Sequence, residues 1–220
     1  MKLAGIETII WDLDGTLLNS FDVFAGVLTT VLRKRSIPIP DRDTLLKNFH
    51  GSLEQSIASV VPKKYAKDNH SILEEFLQEQ DAFYEEVESH LFRDAIELSK
   101  RAYKKQIRQI IVTNRNHEGR KRASPKHIVA STNLQDYVHD VICGEDSPVR
   151  KPDADVLTKH KIAPQTTIVI GDQLVDAEFA RNLGCRGIIV DRHQNYSAQT
   201  FSKFDSSITL VPDLSNVHFV

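Results

Sequence analysis

Asp12-Leu13-Asp14-Gly15-Thr16 follows directly on Ile9-Ile10-Trp11, an apolar run of the kind that forms a buried β-strand. Two carboxylates two residues apart, with a Gly-Thr turn behind them, are a poor way to end a core strand. They are a good way to hold a divalent cation beside a carboxylate nucleophile. The plainer alternative is a strand end followed by an Asp/Gly turn. What separates the two is whether the rest of the chain supplies matching parts.

Further strand-like runs lie at Ile110–Thr113, Val141–Cys143, Ile168–Ile170, Gly187–Val190 and Ile208–Val211. Helical stretches are expected between them from residue 107 onward. Alternating strand and helix predicts a parallel sheet with helices on its faces. Right-handed crossovers then bring all strand C-termini to one edge. Residues 20–90 have a different texture. Phe24, Val27, Leu28, Val31 and Leu32 fall at helical spacing, as do Ile72, Leu73, Phe76, Leu77, Phe83 and Val87. Pro38, Pro40 and Pro62 punctuate the segment as helix boundaries. The expectation is an α/β protein. Residues 1–19 and 91–220 form a discontinuous Rossmann-like core, and residues 20–90 form an inserted α-helical cap packed over the sheet edge. Gly184 is expected to cap a helix over Ala177–Leu183, and Pro125 to break the helix after the second strand.

Ligands bind in the crevice at the carboxyl ends of the strands in open parallel sheets. Thr113, Asn114 and Arg115 follow one strand, Lys151 follows the next, and Asp172 and Asp176 follow the Ile168–Ile170 run. Asp12, Asp14, Thr113, Lys151, Asp172 and Asp176 are therefore expected to converge there. Two like charges 4 Å apart repel by about 4 kcal/mol at an effective dielectric near 20. Carboxylates gathered at one point must protonate or take up a cation, and oxygen-only ligands at a phosphate site suit Mg²⁺. A phosphate monoester fits the remaining parts. Lys151 and the metal would offset charge on the transferred group, Thr113 would donate its hydroxyl, and a carboxylate could attack phosphorus.

These motifs, in the order DLDGT, VTNR, KPDADVL and GDQLVDAEFARNLG, resemble the haloacid dehalogenase-like hydrolase superfamily over nearly the whole chain. Within it, they resemble phosphoglycolate phosphatase-like members with a helical cap. The resemblance implies that Asp12 is the nucleophile. It implies that Asp14 is the general acid and base, with its backbone carbonyl on the metal. Thr113 and Lys151 would hold the phosphoryl group; Asn114 and Arg115, next to Thr113 in the sequence, are expected to bind substrate with them. Asp172 would be a metal ligand, and Asp176 would act through water or by orienting Lys151. An acid at position 14 favours phosphate esters over carbon–halogen bonds. His50 and Gly51 lie in a loop of the insertion. They are either a plain interhelical turn or the loop that, in capped relatives, reads the leaving group. Three positions depart from the usual pattern: Gln173 replaces a Ser or Thr, KPDADVL lacks a second proline, and Pro125 follows the second motif.

The reading is thus an Mg²⁺-dependent phosphatase of a small phosphorylated metabolite. A sugar phosphomutase on the same frame and a non-catalytic binding protein are the alternatives. With 28 Lys+Arg against 30 Asp+Glu in 220 residues, net charge gives no pull towards nucleic acid or an anionic membrane. The basic run Arg115, Arg120, Lys121, Arg122 and Lys126 has no interleaved aromatics and reads as a solvated face. No apolar run approaches a membrane span, and the first residues do not look like a signal peptide. Cys143 and Cys185 are expected to be buried free thiols in a reducing, cytoplasmic setting.

Overall fold

In the computed structural model, which describes residues 1–49, 52–117, 121–201, 204 and 207–220, the chain divides into two compact units. One comprises Met1–Leu18 and Leu91–Val220, the other Asn19–His90.

The first unit is an α/β fold. Its strands are β1 (Lys2–Leu3), β2 (Thr8–Trp11), β3 (Arg108–Val112), β4 (Asp140–Ile142), β5 (Thr167–Gly171), β6 (Arg186–Val190), β7 (Ile208–Val211) and β8 (His218–Phe219). Six of them form one parallel sheet in the order β4-β3-β2-β5-β6-β7. Every residue of β2 and β5 is buried, as expected of parallel strands covered on both faces. The chain runs outward from β2 through β3 to β4, then returns to place β5 on the other side of β2. That reversal is the topological switch point where such sheets bind ligands. The short strands β1 and β8 pair in parallel as a separate two-stranded sheet, too short to leave any periodicity in the sequence.

Alternation along the strands sorts the two faces. Ile10, Ile110, Val112 and Val169 pack with Phe179 and Ala180 of α7 (Leu174–Leu183). On the opposite face sits a polar residue the hydrophobic pattern did not reveal. Gln109, fully buried in β3, accepts from Trp11 Nε1 at 3.0 Å and Ser99 Oγ at 2.8 Å. Its amide donates to the carbonyls of Ser99 at 3.0 Å and Tyr137 at 3.1 Å. One side chain thereby ties β2, β3 and the helix α5 (Arg93–Lys104) together, with all four of its hydrogen-bonding positions used.

The crossovers depart from the expected helices. Six residues, Pro125–Ala130, form the helix between β3 and β4. Pro125 starts it at the first helical position, where a missing N–H costs nothing, and so does not break it. Between β4 and β5 only 3₁₀ turns form, at Ala154–Leu157 and Pro164–Thr166. Pro152 and Pro164 bracket that stretch and bias the residues before them away from helix. Between β6 and β7 the described residues include one 3₁₀ turn, Ala198–Phe201. Gly184, at φ 69°, caps α7 in the left-handed region, and the helix begins three residues earlier than expected.

The second unit is helical, with α1 (Ser20–Lys34), α2 (Arg42–Lys47), α3 (Leu53–Val60) and α4 (Asn69–Phe83). Asn19 caps α1 by accepting from the Asp22 N–H, and Ser52 and Gln55 form a capping box on α3. α1 lies against α4 at Gly26, where a Cβ would stand 2.6 Å from Phe83. Phe24 contacts Phe49 and Phe76, whereas Leu77 of the expected apolar stripe is exposed. Among the described residues no helix is long and apolar enough to cross a membrane. Cys143 and Cys185 are buried and form no disulfide, and burial pushes their thiols up to about 12 and about 11.

At the C-terminal end of β6, Arg192 donates to Asp94 at 2.9 Å and to the Thr16 carbonyl at 3.4 Å, with its guanidinium over Phe92. Burial pushes the Asp94 carboxyl up, but Arg192 and the Leu214 N–H outweigh it and hold the group below 3.8. A depressed folded-state pKa contributes stability above the ordinary carboxylate value, lost as pH falls through the lowered one. Arg192→Met should therefore move the acid-unfolding midpoint, followed by circular dichroism, to higher pH; an unmoved midpoint would refute this tie. Gln109→Leu strands the indole N–H and two carbonyls in the core and should cost about 2–4 kcal/mol. Urea unfolding checks this, and a loss below about 0.5 kcal/mol would contradict it.

Candidate active site

The Asp12 N–H still bonds to the Ile170 carbonyl, at 2.8 Å, so the first residue past β2 remains held in the ladder with β5. This fixes its carboxylate at the C-terminal edge of the sheet. The chain then folds back sharply: the Leu17 and Leu18 N–H groups bond to the Leu13 carbonyl, and the Gly15 N–H to the Leu18 carbonyl. Gly15 sits at φ 77°, and a Cβ there would fall 2.2 Å from an Asp172 carboxylate oxygen. Glycine is thus required twice over, by conformation and by the close approach of Asp172. Thr16, fully buried, donates to Asp172 Oδ1 at 3.3 Å. Its part was missed in the sequence, where it read only as a turn residue.

Lys151 joins the two halves of the site. Its Nζ lies 2.5 Å from Asp12 Oδ1 and 2.7 Å from Asp176 Oδ1, and the side chain is 3% exposed. Asn114 holds its backbone, accepting from the Lys151 N–H at 3.0 Å and donating to the Lys151 carbonyl at 3.1 Å. The second oxygen of Asp176 accepts the N–H groups of Asp172 at 3.2 Å and Gln173 at 3.1 Å. Gly171 leaves room for that carboxylate, since a Cβ there would meet Asp176 Cγ at 2.3 Å. Gln173 occupies the N-cap position of α7.

Asp12, Asp172 and Asp176 each place an oxygen within 4.8 Å of the others. Among the described residues this is the one group of three or more His, Cys, Asp or Glu side chains compact enough to hold a metal ion. Burial pushes Asp12 up to about 7, against the pull of Lys151 and with the charges of Asp176 and Asp14 adding to the rise. Burial and the charges of Asp12 and Asp176 likewise push Asp172 well above the usual carboxylate value. Burial lowers the Lys151 ammonium, but Asp12 and Asp176 prevail and raise it. Ionised together, three carboxylates against one ammonium would carry two negative charges, and the raised Asp12 and Asp172 values express the cost of that state without a cation. A divalent cation with hard oxygen ligands fits that deficit in charge and in donor type.

The Asp14 carboxylate lies outside this cluster and pairs with Arg115, whose Nε donates to Asp14 Oδ2 at 2.9 Å and whose Nη2 donates to Oδ1. Thr113 is buried, and its hydroxyl oxygen accepts the Arg115 N–H at 3.1 Å. Within the basic run, Arg115 is spent on Asp14 and Lys126 on Asp146 at 2.9 Å. His50, Gly51 and Arg120 lie outside the described residues.

A family model described as haloacid dehalogenase-like hydrolase matches residues 9–190. The chain belongs to that family. It is 26% identical over 205 residues to a phosphoglycolate phosphatase from Photobacterium profundum, covering 89% of this chain and 87% of that one. A phosphoglycolate phosphatase from Thiobacillus denitrificans is 24% identical, covering 82% and 81%. An N-acetylmuramic acid 6-phosphate phosphatase from Pseudomonas putida is 26% identical, covering 82% and 81%. The family fold extends to solved structures. CbbY from Rhodobacter sphaeroides in complex with xylulose-1,5-bisphosphate gives a TM-score of 0.65 at 17% identity, covering 96% of both chains. A provisionally assigned β-phosphoglucomutase from Thermotoga maritima gives 0.73 at 15% identity, covering 96% and 97%.

Gly15→Ala should displace Asp172 and weaken the binding of an added divalent cation by about tenfold or more, since second-sphere disturbances commonly cost that much. Titration calorimetry on the purified protein checks this, and wild-type affinity in the variant would contradict the close approach described here.

Proposed function

We propose that this protein is an Mg²⁺-dependent phosphatase that hydrolyses a small phosphorylated metabolite through an aspartyl-phosphate. The observation that carries the reading is the Asp12 carboxylate, held by Lys151 at 2.5 Å in a cluster with Asp172 and Asp176. Asp12 and Asp172, with the Asp14 carbonyl, would hold Mg²⁺. Bound there, the ion would offset charge on the transferring phosphoryl group. Asp176 serves chiefly through Lys151, because its oxygens are already taken by the ammonium and two backbone N–H groups.

A carboxylate oxygen of Asp12 forms a bond to phosphorus as the ester oxygen leaves. Asp14 gives that oxygen a proton. Water then attacks the acyl phosphate, Asp14 takes its proton, and the Asp12 carboxylate is regenerated with release of phosphate. Lys151 and the Thr113 hydroxyl bind phosphoryl oxygens and keep the group in line. The helical unit Asn19–His90 is the part that family resemblance assigns to choosing the leaving group. Phosphoglycolate and other small carboxylated or sugar phosphates head the substrate list, following the relatives' names. The two unpaired, buried thiols favour a reducing, cytoplasmic setting.

Phosphate release from a panel of small phosphomonoesters tests this, with Mg²⁺ and with chelator, beside Asp12→Asn. Release should require the metal and fall by about 10³-fold or more in the variant, with the fold retained. Full activity in Asp12→Asn would rule out its role as nucleophile. Isomerisation without net release, dependent on an added bisphosphate, would instead make the protein a phosphomutase.

A further inference from the structure

Arg115 reaches both Asp14 and Thr113. Its guanidinium forks onto both oxygens of Asp14, with Nη1 anchored on the Ala123 carbonyl at 3.1 Å. The two side chains are 15% and 28% exposed, so the pair is largely withdrawn from solvent screening. A fork of this kind fixes the plane of the carboxylate, which a point charge cannot do. The Ala123 anchor keeps the guanidinium from following Asp14 if that side chain turns. Through its backbone, Arg115 also donates to Thr113 Oγ1 at 3.1 Å, while its carbonyl accepts from the Gly144 N–H at 3.0 Å. Accepting there with one lone pair, the Thr113 hydroxyl keeps its own hydrogen to donate to an acceptor such as a phosphoryl oxygen.

We propose that Arg115 is a positioning residue that sets the orientation of the Asp14 carboxylate for proton transfer, and that it does not grip the leaving group. This rests on the phosphatase reading above. Proton transfer needs the carboxyl oxygen within hydrogen-bond reach of the ester oxygen or of the attacking water, and displacement by about 1 Å can cost about 10²-fold in rate. A residue that acts only on Asp14 should affect kcat and leave KM nearly unchanged.

Steady-state kinetics of Arg115→Met and Arg115→Lys on the best phosphomonoester test this, with wild type and Asp12→Asn alongside. For Arg115→Met, kcat should fall about 10²-fold with KM within about threefold. Arg115→Lys should recover less than about tenfold of that loss, because an ammonium cannot supply the fork. Methylguanidinium added to Arg115→Ala should restore part of kcat, which a variant damaged only in folding would not show. A raised KM at unchanged kcat would make Arg115 a substrate contact and overturn the proposal. So would full activity in Arg115→Lys, which would reduce its role to charge alone. Wild-type protein that releases no phosphate from any ester would overturn the phosphatase reading itself, an outcome distinct from any behaviour of the variants.

Discussion

A buried ammonium between two buried carboxylates is the constraint on which the rest of this structure depends. Lys151 is 6% exposed and touches Asp12 and Asp176, which come from opposite sides of the switch point in the sheet. Breaking such a pair by removing one partner commonly costs about 3–5 kcal/mol, because the charge left behind stays buried. The pair therefore fixes more than one residue. It requires β2 next to β5, the β4–β5 connection folded back to the same edge, and the start of α7 with Asp176 turned inward. Asn114 reinforces this by clamping the Lys151 backbone from the end of β3. Four segments far apart in sequence are tied through one residue, by its side chain and its backbone.

The same economy of space governs the glycines. Gly15 and Gly171 stand where a Cβ would collide with Asp172 and Asp176, so carboxylates fill the places side chains would have taken. The excess negative charge this creates is not an accident of packing. Three acids with one lysine form a site that, once ionised, is short of two positive charges. Asp14, by contrast, carries its own cation in Arg115 and stands outside that deficit. Two carboxylates two residues apart in one loop thus live in different electrostatic surroundings, which is what different chemical roles require.

Much of this was legible in the sequence because it is local or repetitive. Ile9–Trp11, Ile110–Val112 and Ile168–Ile170 are short continuous apolar runs rich in β-branched residues, the composition of strands buried on both faces. The acids lie within six residues of the ends of such runs and Lys151 nine residues beyond β4, so parallel topology could bring them to a common edge. Gly184 announced the end of α7 because few other residues tolerate φ 69°. What was illegible depended on long-range partners. Gln109 looks like a surface residue until Trp11 and Ser99 are seen around it. Arg115 looks like part of a basic run until Asp14, 101 residues earlier, takes its guanidinium.

By itself, the sequence determined the kind of sheet, the edge at which polar residues gather and the chemical types that gather there. Periodicity and residue class are properties of short stretches, and the backbone obeys them wherever it goes. Only the tertiary structure decided which acid meets which cation: Lys151 with Asp12 and Asp176, Arg115 with Asp14, Thr16 with Asp172. The tertiary structure also decided that the β4–β5 crossover, bracketed by Pro152 and Pro164, turns in 3₁₀ segments where a helix was expected. Pairing energies depend on distance and burial, and neither exists until the strands have taken their order.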